Sequence, residues 1–263
     1  MNTFQKVIKY FAIALAFLII GSIISIAFEV VSSFTDVFNK EELTDKITYD
    51  VKSNIEKLDI KVNSTKLSIN KGDSFKVTTN SNKIKVNETN GKLEIIDKSN
   101  KMIKDKEVII TIPSNYNFTE IKIDLGAGET IIDTLSALIV DIEMGAGKLT
   151  INDIEAINSM DLDGGAGEIK ILNGKINNLD LDMGVGKTTV NGLITGKSKI
   201  DAGVGELYID LLSTLEDYKI KVSKGIGSVK LNDSSLGDNT ITGNGINLID
   251  IEGGIGEINI TTK

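Results

Sequence analysis

A short signature returns along the second half of this chain at nearly constant spacing: Gly126-Ala127-Gly128, Gly145-Ala146-Gly147, Gly165-Ala166-Gly167, Gly184-Val185-Gly186, Gly203-Val204-Gly205, Gly225-Ile226-Gly227 and Gly254-Ile255-Gly256. The first five copies begin 19, 20, 19 and 19 residues apart; the last two intervals stretch to 22 and 29. A fixed period near twenty describes a stack of equivalent units, each touching only its neighbours, rather than a globule around one cleft.

The apolar residues around each glycine pair obey one rule. Counted from the first inward residue they fall at offsets 0, 2, 4, 6, 9 and 11: Val140, Ile142, Met144, Ala146, Leu149 and Ile151 in one copy, and Leu179, Leu181, Met183, Val185, Thr188 and Val190 two copies later. Between them, Met160, Leu162, Gly164, Ala166, Ile169 and Ile171 keep the same spacing. Alternation with period two marks a strand with one buried face. The step of three between offsets 6 and 9 would turn the second strand's apolar set outward unless the backbone bends there. Gly-x-Gly sits at that step, where a residue without Cβ can take φ > 0 and turn the corner.

Each unit is then two short strands about a bend, followed by a turn such as Asn152-Asp153 or Asn173-Gly174. Twenty residues cannot bury an apolar face alone; stacked in register at roughly 4.8 Å per coil, they form parallel sheets around a narrow core. The expected fold is all-β, a parallel β-helix (β-solenoid) of about 19–20 residues per coil. The crossover preference of parallel strands makes it right-handed.

The rule extends backwards without glycine. Leu58, Ile60, Val62, Ser64, Leu67 and Ile69 keep the offsets, as do Phe75, Val77, Thr79, Ser81, Ile84 and Val86. Asn63 to Thr65 and Asn80 to Asn82 take the corner, asparagine being the residue after glycine that best tolerates left-handed geometry. Val108, Ile110 and Ile112 make a further strand closed by Pro113, the only proline.

Tyr10 to Phe28 is an uncharged, apolar run of nineteen residues, long enough to cross a hydrocarbon core. Lys6 and Lys9 precede it and Glu29, Asp36, Glu41 and Glu42 follow, which places the N-terminus in the cytoplasm. The rival is a cleaved signal peptide with Ser25 and Ala27 as the small-residue site; the apolar run is longer than the usual h-region, which favours an anchor. Both place the repeats outside the cytoplasm. The expected organisation is a cytoplasmic N-terminus (1–9), one transmembrane helix (10–28), a juxtamembrane stalk (29–52) and an extracytoplasmic solenoid (53–263), on a single-pass protein of the cell membrane. Val30, Val31, Phe34, Val37 and Phe38 recur at helical spacing beyond the anchor and either extend its helix or lie on the membrane surface.

With an extracytoplasmic anchor, the strand Val108 to Pro113 and the Gly-Ala-Gly series in place, the chain resembles the bacterial "putative adhesin" family of β-strand repeats, also called toastrack domains, over roughly residues 50–263. The resemblance implies a parallel β-solenoid on the bacterial surface and, in some members, a link to envelope-stress signalling. It carries over no catalytic residue. Residues 232–248, rich in Asn, Asp, Ser and Gly, interrupt the regular array.

Two charge patterns accompany the glycines. Asp124, Glu143, Asp163, Asp182 and Asp201 sit two positions before the first glycine, and Glu252 repeats the position in the last copy; Asp141, Asp161 and Asp180 add carboxylates two residues earlier. Stacking places these about 5 Å apart on an outward face. Such a strip either takes a cation, of which calcium is the candidate, or is a solvated acidic face that keeps a sheet soluble. Calcium sites need ligands converging on one ion, which favours the solvated face. Directly after the second glycine run Glu129, Lys148, Glu168, Lys187 and Glu206. Their alternating sign supports the correct register of stacked strands and penalises a slip.

Several functions find little support. Gly186-Lys187-Thr188 resembles the end of a phosphate-binding loop, but the required earlier glycine is Leu181, so no nucleotide site follows. Calcium-binding nonapeptide repeats need Asp where this chain has Ile169 and Ile258. There is no Cys and no His, hence no Ser-His or Cys-His pair and no imidazole ligand. With 29 lysines against 37 carboxylates and a net charge of −8, nucleic-acid binding is disfavoured. The expectation is a non-catalytic binding or scaffold module at the bacterial envelope, without cofactor, whose partner is an envelope protein or a surface glycan. The alternatives are an adhesin for an external surface and, more remotely, a polysaccharide-active enzyme using paired carboxylates. Exposed ends of the stack, with residues 53–57 and the final Glu257 to Lys263 as candidates, need capping or joining.

Overall fold

The inward positions of the offset rule are the core except the residue between the glycines: Ala146, Ala166 and Val185, expected inward, are only half-buried, and Ile226 is exposed, because the corner turns that residue out of the strand's inward face. Val140, Ile142, Met144, Leu149 and Ile151 are at most 7% exposed, and Met160, Leu162, Ile169 and Ile171 at most 2%. The computed structural model describes residues 43–99 and 103–263. Over these the chain is all-β apart from one 3-10 turn at Leu215–Asp217. The span 10–28 and the segment 30–38 lie outside the described residues; among the described ones no helix is long and apolar enough to cross a membrane.

β1 (Ile47–Asp50), β2 (Lys57–Val62), β3 (Lys66–Gly72), β4 (Lys76–Thr79), β5 (Ile84–Thr89), β6 (Lys92–Asp97) and β7 (Glu107–Pro113) build one end of the stack. β8 (Phe118–Asn177), β9 (Leu179–Asp182), β10 (Val185–Thr195) and β11 (Lys197–Leu211) form the regular middle. β12 (Tyr218–Ser223), β13 (Ile226–Leu231), β14 (Ser234–Ser235), β15 (Thr240–Thr242) and β16 (Asn247–Thr262) build the other end. The middle has the register of the glycine period. Met160 pairs with Leu179, Lys199 with Asp180, and Val185 with Ala166 on one side and Val204 on the other, all parallel. Each coil also has a third side. After a register shift between Val190 and Gly192, β10 pairs again with 174–177, and Ile154, Ala156, Ile176 and Ile194 face inward there. Asn173-Gly174, expected as a turn, sits at this bulge. One or two inward residues per side are too few to register as alternation.

At both ends the stack departs from chain order. β2 lies between β6 and the start of β8, and β3 between β7 and β8, so the coil 92–113 is stacked outside the coil 57–72 that precedes it. At the other end β16 runs between β11 and the pair β12 and β13. The final strand is thus an interior one, not the exposed end expected of Glu257 to Lys263. Ends of a parallel stack expose unpaired backbone, and here both are closed by strands of reversed direction. β4 and β5 run antiparallel to β7 and β6, and β14 and β15 antiparallel to β13 and β12.

Two expectations change accordingly. Phe75 to Ile84 are buried as the offsets require, but they form a capping layer rather than another parallel coil, because alternation encodes which side faces inward and is blind to strand direction. The ordered body also begins before residue 53. Ile47–Asp50, placed in the stalk, pairs with β4, and Thr44 N–H donates to Asn80 O at 2.9 Å. A polar, four-residue edge strand leaves no hydrophobic run to read.

Candidate binding surface

The glycine corners stack backbone on backbone. A Cβ added to Gly165 would lie 1.9 Å from Gly145 O and 2.5 Å from Met144 O, and one on Gly167, whose φ is +139°, 1.9 Å from Gly147 O. The same approach recurs at Gly203 against Gly184 O and at Gly254 against Gly203 O. Gly167 is therefore required twice, by φ and by contact, whereas Gly165 is required by contact alone; Gly184 joins Gly186 in positive φ, while Gly225 and Gly227 have none and are held to glycine by contact only. The clefts beside these corners, one lined by Gly205, Gly227, Gly254 and Gly256 and the other by Asn63, Thr65, Gly128 and Ala146, each hold about 10 Å³, room for about one water.

The acidic residues form columns. Asp182 is in register with Asp163 and Asp201, Asp161 with Asp180, and Asp201 with Glu252. Lysines bracket the columns. Lys122 Nζ donates to Asp141 at 2.9 Å and Glu143 at 3.3 Å, which raises its pKa; Lys61 is in register with Asp124; Lys199 Nζ lies 2.8 Å from Asp201. Between the brackets, Asp161, Asp163, Asp180 and Asp182 face one another across two coils. Partial burial, then Asp163 and Asp180, push the Asp161 carboxyl above the usual range; burial, then Asp182 and Glu143, do the same to Asp163. The columns run parallel and do not converge: among the described residues no group of three or more acidic side chains could hold a metal ion.

The alternating pattern is a physical ladder. Lys187 is in register with Glu168 and Glu206, Lys148 pairs with Glu168 at 3.3 Å, and Lys187 with Glu206 at 3.3 Å. Lys187 also lies over the Tyr208 ring, 4.4 Å from its centroid. The alternation fails where β16 is inserted, since Glu206 meets Glu257 there; Lys230, 3.0 Å from Glu257, compensates. These pairs are solvent-exposed and individually worth under about 1 kcal/mol.

Among the described residues one oppositely charged pair is buried. Asp97 and Lys106 form an ion pair with both side chains fully inaccessible. The Asp97 carboxylate also accepts from Ser99 N–H at 2.9 Å, from Ser99 Oγ–H at 2.5 Å and from Asn63 N–H at 3.3 Å. Burial pushes the Asp97 carboxyl up, but hydrogen bonds from Lys106 and Ser99 outweigh it and hold its pKa below the ordinary value. This cluster occupies the corner of the one parallel coil that lacks both glycine and a compact Asn turn. Its signal was present: Leu93, Ile95, Asp97 and Ser99 keep the inward alternation, and a charge at an inward position demands a buried partner.

An all-β stack of parallel coils, solenoid-like, whose outward faces carry charge columns rather than a cleft, is the class of protein this geometry defines. The family described as Toastrack DUF4097 matches residues 27–242, and the chain belongs to that family. No protein of curated function matches it. Among solved structures it is similar to a putative cell adhesion protein from Clostridium sporogenes, at 21% identity over 83% of this chain and 99% of that one with a TM-score of 0.36. It is also similar to putative adhesins from Bacteroides fragilis (13% identity, 84% and 98% covered, TM-score 0.39) and Parabacteroides distasonis (16%, 84% and 97%, 0.35). None of these names is that of an enzyme.

Proposed function

We propose that the chain is a non-catalytic binding or scaffold module held outside the cytoplasm at the bacterial cell envelope, its right-handed coils projecting from a membrane anchor at residues 10–28. The observation that carries this reading is the pair of unbroken charge columns running the length of the regular coils, next to clefts that hold only about 10 Å³ each. Such a surface makes extended contacts along its length. The partner is another envelope component, and the contact relays surface stress to the membrane. A second reading, adhesion to an external surface or glycan, draws support from the position of β1 and β15 at opposite ends of the sheet order, which sets the last coils farthest from the anchored end. Crosslinking of the full-length chain in cells tests both. Recovery of one membrane protein, lost when residues 1–42 are exchanged for an unrelated anchor, supports the envelope reading; capture of glycan or foreign surface that survives the exchange supports adhesion. Recovery of no envelope, glycan or surface component would refute both.

A further inference from the structure

Charge is divided unequally along the stack. Residues 43–122, which build its first end, carry 15 lysines against 11 carboxylates, whereas residues 123–263 carry 11 lysines against 22 carboxylates. Part of the positive excess gathers at one corner of the first end. One step beyond the pairing of Ile84 with Asp97, Lys98 N–H donates to Lys83 O at 3.0 Å, and Lys85 Nζ reaches back to Asn82 O at 3.1 Å. The Asn80 side chain ties this turn to the start of β7, donating to Asp105 O at 2.9 Å and accepting from Glu107 N–H at 2.8 Å, so Lys104 adjoins the same turn. Lys85, Lys98 and Lys104 are exposed. Two nearby acids are already engaged, Asp97 in the buried pair with Lys106 and Glu107 with Lys46 at 3.1 Å, which leaves Asp45 and Asp105 as the counter-charges.

The chain enters the fold at this corner. Thr44 N–H donates to the carbonyl of the same Asn80 at 2.9 Å, and only residues 29–42 separate Leu43 from the apolar run 10–28. Fully extended, those residues span at most about 50 Å. We infer that the lysine corner docks on the surface of the membrane that holds the anchor, against anionic phospholipid headgroups. The inference rests on the anchored, extracytoplasmic reading and deepens it by naming what the near end of the stack touches. Two observations select this occupant. The first is the chain path, which delivers the lysine corner, rather than any other face, to the membrane. The second is the division of charge. An anionic surface attracts lysines that come within a Debye length, about 8–10 Å at ordinary ionic strength, and repels the columns of Asp161, Asp163, Asp180 and Asp182 on the middle coils. Attraction at one end and repulsion along the rest orient the stack with its last coils outward. Three exposed lysines make a weak, salt-sensitive contact, which suffices because the anchor holds them at high local concentration.

The chain has no cysteine, so single introduced thiols can carry a donor dye, Asn82→Cys at the corner and Ser235→Cys at the far end, both positions being exposed. The full-length protein is reconstituted into vesicles of phosphatidylcholine alone or mixed equally with phosphatidylglycerol, with an acceptor dye on the headgroups. Energy transfer from Asn82→Cys should rise about two-fold when phosphatidylglycerol is present and fall back at high salt. Lys85→Gln, Lys98→Gln and Lys104→Gln together should remove the rise at an unchanged melting temperature, and transfer from Ser235→Cys should not respond to lipid charge. Transfer from Asn82→Cys that ignores lipid charge, a rise that survives the glutamine variant, or an equal rise at Ser235→Cys would each overturn the inference, as would a corner that binds soluble polyphosphate but not charged vesicles. Retention of the chain on salt-washed phosphatidylcholine vesicles tests the anchor separately. Loss there refutes the anchored reading and the inference with it, whereas retention without a response to lipid charge refutes the inference alone.

Discussion

Replacing Gly165 with alanine is the sharpest probe of the stack. In an ordinary strand this change stabilises by about 0.4–1 kcal/mol, because it restricts the unfolded chain. Here the new Cβ would lie 1.9 Å from Gly145 O, 2.5 Å from Met144 O and 2.8 Å from Gly145 C, all backbone atoms. Real Cβ contacts essentially never fall under 3.0 Å, so two coils spaced at about 4.8 Å must part by more than an ångström at the corner. Overpacking of this kind costs about 1–3 kcal/mol, and each ladder hydrogen bond stretched on either side about 1 kcal/mol more. The expected loss is about 2–5 kcal/mol, or roughly 4–20 °C in Tm for a body of this size. Urea denaturation and thermal melts followed by circular dichroism measure it. Gly237→Ala is the control: its nearest neighbour would be Thr240 Oγ1 at 3.5 Å, so Tm should hold or rise. Gly165→Ala with a Tm at or above that of the unaltered chain would refute the claim that backbone contact, not corner dihedral, demands the first glycine.

The acidic columns give a pH signature. Asp161 and Asp163 have pKa values raised by folding, so their contribution to stability is full below the unfolded carboxylate value near 4 and is lost as pH rises through the folded value. Asp161→Asn with Asp163→Asn should therefore raise the unfolding free energy at pH 7, by about 0.2–1 kcal/mol for each like-charge contact relieved, and the gain should vanish below about pH 4; a gain independent of pH would contradict the assignment. For the buried pair, Lys106→Met alone strands a buried carboxylate and should cost about 3–5 kcal/mol. Adding Asp97→Leu should recover much of that loss in urea melts, and a neutral Lys106→Met would show that the pair is not sealed from water.

The repeating unit is written in the local pattern of residues. A period near twenty, the offsets 0 to 11 and the glycine pair are local consequences of side-chain alternation and of where a Cβ cannot go, so the parallel register and the buried set from Val140 to Val190 were legible, apart from Ala146, Ala166 and Val185, which the corner leaves half-buried. So were the acidic and alternating columns, since a fixed period converts spacing along the chain into neighbours across coils. The toastrack resemblance was legible from the same glycines. The order and direction of the outer layers came from the fold. The insertion of β2 and β3 beneath the coil 92–113, and of β16 beneath β12 and β13, leaves no mark in a local pattern, because every coil presents the same complementary faces above and below. The reversal of β4, β5, β14 and β15 is equally invisible, since alternation reads the same in both directions. Asp97 and Lys106 stood at inward positions, but only the fold brought the two charges together. The ends of a parallel stack must satisfy backbone groups that no further coil will meet, and that is a constraint on the whole assembly rather than on any one segment of it.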